Sequence, residues 1–170
     1  MITFASADDL PAELPTEGWQ VVGPATSTIT QLIGRRLDVA QMISVFTGEL
    51  IPAEFLFMSF VGQEFASFTA VLFRDARRPS CLVMVAHSGG LHLSRTILRT
   101  VAQIAFEGAG ASEIITGISP NDLPRREALN RLGFTYAGRE IRSDGERILL
   151  VLRPDTIPAS FRRARLRQTQ

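Results

Sequence analysis

Hydrophobic and polar positions change period several times along the chain, and each change predicts an element. Residues 1–4 read as a short strand, and residues 6–11 offer the hydroxyl and carboxylate groups that cap a helix start. Residues 15–24 carry two glycines between prolines and predict a loop, with a short extended piece at residues 19–22. Over residues 27–45, Ile29, Leu32, Ile33, Leu37, Ala40, Met42 and Ile43 recur at spacings near three and four, with Arg35, Arg36 and Asp38 on the other side. That spacing predicts an amphipathic helix.

From residue 55 the period shortens. Residues 55–61 and 65–73 are rich in Phe, Val and Thr and flank the turn Gly62-Gln63-Glu64, which predicts a β-hairpin. The polar stretch at residues 74–79 reads as a loop, and residues 81–86 as an interior strand with few polar residues. Ser88-Gly89-Gly90 breaks that strand. Helical spacing returns over residues 91–106 and stops at Gly108-Ala109-Gly110. Residues 113–118 form a further strand, and residues 121–132 a polar helix ending at Gly133. Residues 134–139 and 148–152 form two last strands joined around Ser143-Asp144-Gly145.

The resulting order is β, α, β, β, β, α, β, α, β, β, which implies an α/β domain with helices against a mixed sheet. This order resembles that of the GNAT superfamily of N-acetyltransferases. Residues 1–11 resemble that family's first strand and the polar start of its first helix. Residues 118–121, then Ala128-Leu129-Asn130-Arg131-Leu132-Gly133-Phe134, then Ala137-Gly138, resemble its fifth strand, the following helix and the Leu-Gly-Phe entry to the sixth strand. The resemblance implies one GNAT-like domain over residues 1–157. Its sheet would be mixed, mostly antiparallel and of about seven strands, with helices on both faces.

Composition adds limits. An apolar content of 45% and a charged content of 21% suit one soluble globular domain of 170 residues. Net charge is +1, so bulk electrostatics does not call for nucleic acid or a membrane. All 18 basic residues are arginine, which reads mainly as genomic codon bias. Residues 158–170 form an Arg-rich tail, read as a solvated terminus or as a contact with nucleic acid or an acidic partner. The lone Cys81 sits in an apolar run and reads as a small buried hydrophobe. Only His87 and His92 are available as imidazole ligands, so no metal site is expected. The N-terminus lacks a signal-peptide pattern, and no apolar run approaches the roughly 20 residues needed to span a bilayer. A cytoplasmic location follows, or a virion assembled there.

The resemblance also implies a cofactor, acetyl-CoA or another acyl-CoA. It would lie along the strand at Val83 and Val85, with its pyrophosphate on backbone N–H groups at Ser88, Gly89, Gly90 and Leu91. Arg95 adds charge there, and Asn121 lies on the cofactor side of the next helix. A helix start suits an anion because its N–H groups have no partner within the helix. His87, with an intrinsic pKa near neutrality, is the candidate general base. Glu64 and Glu113 are weaker options. The only tyrosine, Tyr136, is the candidate acid.

Two departures from the family pattern stand out. Adjacent glycines after His87-Ser88 replace the usual Gln/Arg-x-x-Gly-x-Gly/Ala loop, and Leu129 occupies the place where many members carry an acidic tyrosine. They leave two readings. The first is an acyltransferase acting on a small-molecule or peptide amine, with a homodimer allowed. The second is a GNAT-like fold without transferase activity, similar to the internal virion protein of T7-type phages, with a virion or nucleic-acid partner.

Overall fold

The computed structural model describes residues 2–3, 20–23, 31–36, 42–45, 49–61, 64–87 and 95–159. The first strands are β1 (Ile2–Thr3), β2 (Gln20–Gly23), β3 (Gln31–Arg36), β4 (Met42–Val45) and β5 (Glu49–Pro52). Then follow β6 (Phe55–Val61), β7 (Glu64–Asp75), β8 (Arg78–His87) and α1 (Arg95–Gln103), which runs into a π-helical turn at Ile104–Gly108. The chain continues through β9 (Glu113–Ile118), α2 (Leu123–Arg131), β10 (Thr135–Arg142) and β11 (Gly145–Leu152). Eight strands form one sheet in the order β10-β11-β9-β8-β7-β6-β3-β2, and β1, β4 and β5 form a small second sheet. Among the described strands of the large sheet, only β8 and β9 run parallel; every other neighbour is antiparallel. The mixed, mostly antiparallel sheet expected from the sequence is therefore present.

The helix expected over residues 27–45 is not. Its two described pieces are strands, β3 and β4. β3 pairs with β6 from Gln31↔Phe60 to Arg36↔Phe55, and β4 pairs with β1 and β5. Two features weaken a helix here. Gly34 in a helix interior costs about 1 kcal/mol relative to Ala, and β-branched residues lose rotamer freedom there. The strand also gives Arg36 a seat, with its guanidinium 5.6 Å from the centre of the Phe55 ring. The expected loop at residues 74–79 is a tight hairpin instead. The Asp75 carboxylate accepts the Arg77 N–H at 2.8 Å and supplies the turn that spacing alone did not reveal. The helix start at residues 6–11 and most of the basic tail lie outside the described residues.

Strand alternation builds the core. Phe55, Phe57, Leu72, Leu82, Met84, Ile114, Leu150 and Leu152 point to one face and meet Ile97, Leu98 and Val101 of α1 and Leu129 of α2. Each fully buried aliphatic chain contributes about 1.5–3 kcal/mol relative to exposure. Both described helices thus pack on one face. On the other, Leu56, Met58, Val71, Cys81, Ile115 and Val151 are also buried, but no described helix covers them. Helices on both faces were expected; among the described residues they occupy one.

The end of α2 follows the expected design. Asp122 caps its start by accepting the Arg125 N–H at 3.2 Å. Gly133 closes it at φ +100°. A Cβ at Gly133 would overlap the Thr156 carbonyl oxygen, so glycine is needed twice over. Phe134 then turns into the core at 4% exposure.

Candidate functional site: the opening between β8 and β9

The parallel pair β8–β9 is joined over only three residue pairs, Cys81↔Glu113, Leu82↔Ile114 and Val83↔Ile115. Both strands continue past that point. Met84 to His87 stay paired with β7, and Thr116 to Ile118 stay paired with β11. The two strands therefore part inside the sheet and leave a wedge.

One side chain spans the start of the wedge. The Thr116 hydroxyl donates to the Met84 carbonyl at 2.8 Å, and Thr116 is buried. The Met84 carbonyl thus faces β9. Alternation turns the backbone N–H and C=O of Ala86 the same way, toward the opening, and turns those of Val85 toward β7. These main-chain groups can pair with the amides of an extended ligand as a further strand would. Val83 and Val85, the residues expected along the cofactor, lie at the joined rung and on the opening stretch respectively.

The joined end is held differently. Glu113 accepts from Arg78 at 3.0 Å and from Arg153 at 3.2 Å, tying the starts of β8 and β9 to the segment after β11. Glu113 is therefore occupied by two guanidinium groups, away from the opening, and does not fit the role of general base. Glu64 begins β7 opposite Val61, on the turn of the β6–β7 hairpin. Cys81, at the same closed end, has its thiol pushed up to about 11, first by burial and then by Glu113. It is a protonated packing group, as its apolar run suggested.

His87 ends β8 opposite Thr69, at the mouth of the wedge. Ser88, Gly89, Gly90 and Leu91 lie outside the described residues. Arg95 is exposed and begins α1. Asn121 is exposed in the turn between β9 and α2. Tyr136 pairs with Leu150, which pairs with Thr116, so the three form one row across β10, β11 and β9. Tyr136 therefore shares the face of Thr116 but stands two strands away, roughly 10 Å at the usual strand spacing. It is 60% exposed. Its neighbour Arg139 is held above the usual arginine range, first by Glu146 and then by Tyr136. Leu129 is 1% exposed and packs in the core.

Two polar residues escaped the sequence reading. Thr116 reads as a strand former within Glu113–Ile118, and only the register shows what its hydroxyl meets. Glu54, 6% exposed, makes a two-pronged bond to Arg74 at 2.8 and 3.0 Å. Arg74 also donates to the Ala109 carbonyl at 2.7 Å, fixing the chain after the π turn to β7. A groove of about 450 Å³ lies between α1 and the segment after β11, lined by Leu98, Ala102, Phe106, Leu132, Leu152 and Ile157. Leu152 pairs with Ile114, so the groove sits where β8 and β9 are joined, not where they part. No group of three or more metal-ligating side chains occurs among the described residues, and no described helix is long and apolar enough to cross a membrane.

No protein-family model matches the sequence, and no curated protein matches it. Solved structures do match the fold. The aminoglycoside acetyltransferase AAC(6')-Ib in complex with coenzyme A superposes with a TM-score of 0.51 at 16% identity, over 65% of this chain and 70% of its own. RimJ of Mycobacterium smegmatis, in complex with CoA-disulfide, gives 0.51 at 18% identity, over 66% and 60%. The ribosomal-protein-S5-alanine acetyltransferase of Vibrio fischeri gives 0.52 at 16% identity, over 61% and 64%. The chain thus carries the same fold as these acetyltransferases, in keeping with the fold that its family resemblance led one to expect.

Proposed function

We propose that this chain binds acyl-CoA in the wedge between β8 and β9 and transfers the acyl group to an amine. The observation that carries the reading is the ladder that stops at Val83↔Ile115 while both strands run on. An interior strand of a folded sheet normally keeps its main-chain groups paired, so a stretch turned toward a gap calls for a partner. The fit is chemical as well: the Ala86 N–H and C=O match the alternating donors and acceptors of the amide-bearing pantetheine arm. Two of the structures with this fold are described as complexes with coenzyme A or its disulfide.

In this reading Ser88, Gly89, Gly90 and Leu91 present N–H groups to the pyrophosphate, and Arg95 and Asn121 add polar contacts beside it. His87 takes the proton that the acceptor nitrogen loses as it attacks the thioester carbonyl carbon. The carbon–sulfur bond breaks, and the departing thiolate takes a proton from water. The products are an amide and the free thiol. The acceptor is a small-molecule or peptide amine.

Acetyl-CoA binding tests this. At about 100 times Kd, mass action adds about 2.7 kcal/mol to stability. That raises Tm by roughly 5–10 °C for a domain of this size. No shift at millimolar acetyl-CoA would leave the fold without the transferase. Gly90→Asp places a charge against the pyrophosphate and is expected to abolish the shift; wild-type binding by that variant would put the phosphate elsewhere.

A further inference from the structure

We infer that Thr116 is a positioning residue that sets where the β8–β9 wedge begins, and so where along β8 the acyl-CoA arm starts to pair. The inference rests on the wedge being the acyl-CoA site. Its basis is the substitution of one hydrogen bond for another. In a continued parallel ladder the next donor to the Met84 carbonyl would be the Gly117 N–H. The pairing ends one rung earlier, and the Met84 carbonyl receives the Thr116 hydroxyl at 2.8 Å instead. A side-chain hydroxyl has thus taken the acceptor that would zip the strands together.

Three further facts support the role. Thr116 is 4% exposed, so its bond is shielded from competing water. β9 is held from behind by β11 through Thr116↔Leu150 and Gly117↔Leu149, so it cannot drift away from the opening. The Met84 carbonyl is satisfied without a ligand, which makes Ala86 the first residue whose main chain is offered to one.

The test compares Thr116→Val, which keeps the shape and loses the hydroxyl, with Thr116→Ser, which keeps the hydroxyl. Without a donor from Thr116, the buried Met84 carbonyl gains by capturing the Gly117 N–H. In cofactor-free protein, the Gly117 amide of Thr116→Val is expected to exchange its hydrogen at least about tenfold more slowly than wild type. Its coenzyme A Kd is expected to rise about tenfold, the scale of one hydrogen bond. Thr116→Ser is expected to match wild type in both. A side chain that merely supports the fold would lower Tm in Thr116→Val and leave both readouts unmoved; that result overturns the inference. Wild-type protein that fails to bind coenzyme A removes the acyltransferase reading, and the positioning role with it. Wild-type protein that binds, alongside an unchanged Gly117 amide in Thr116→Val, removes the positioning role alone.

Discussion

The two ends of the β8–β9 pair are built from the same two strands and solve opposite problems. At the closed end, ladder bonds join Cys81 to Val83 with Glu113 to Ile115, and one carboxylate holds two arginines. At the open end, a single threonine hydroxyl stands in for the ladder, and Ala86 faces the gap. The difference shows how a sheet can hold a gap without losing its order: each strand stays paired on its outer side, β8 with β7 and β9 with β11. The closed end anchors the strands, and the open end is left to recognise something.

The largest expected effect comes from cutting into the anchor. Ile114 is 1% exposed and pairs with Leu82 at the joined end. Ile114→Ala should lower the unfolding free energy by about 2–5 kcal/mol in urea denaturation. The coenzyme A affinity of the molecules that remain folded should stay within about twofold if anchoring and recognition are separate tasks. A parallel loss of affinity would show that the two ends are not independent.

Charge at the anchor should matter less. The Arg78 and Arg153 side chains are 50% and 51% exposed, so their bonds to Glu113 are partly screened. Glu113→Gln should cost about 1 kcal/mol, and the deficit should shrink in 1 M salt. An activity loss larger than the stability loss would return Glu113 to the list of catalytic groups.

The smallest effect is a pH dependence. Burial raises the Cys81 thiol from 9.0 to about 11 in the folded chain. A group whose folded pKa is raised favours the folded state in its protonated form, so this contribution is intact below pH 9 and is lost as pH climbs toward about 11. Cys81→Ala should remove that part of the alkaline decline. The native thiol should also resist a thiol reagent at pH 8 and react on unfolding, because the thiolate is the reactive form.

How much of this was legible beforehand differs along the chain. From residue 55 onward, period-two runs bounded by glycine, proline and aspartate gave nearly every element, because local turn chemistry and burial agree there. The strand at Glu113–Ile118 and the Gly133-Phe134 return are examples. Residues 27–45 misled because their apolar spacing also fits a helix; the decisive partners, β6 for β3 and β1 and β5 for β4, come from elsewhere in the chain. The wedge was legible only through a family resemblance. No residue pattern states that a ladder will stop, and Thr116 looks like any strand threonine until its register is known. Tyr136 is the only tyrosine in the sequence, and the register puts it two strands from the opening, a distance no composition count contains.

The most direct test of the central claim is amide hydrogen exchange, residue by residue, with and without saturating acetyl-CoA. The wedge as cofactor site predicts that the Ala86 amide slows markedly on binding, while the Leu82 amide, already within the joined ladder, changes little. Protection that leaves Ala86 unchanged and appears elsewhere on the surface would contradict it.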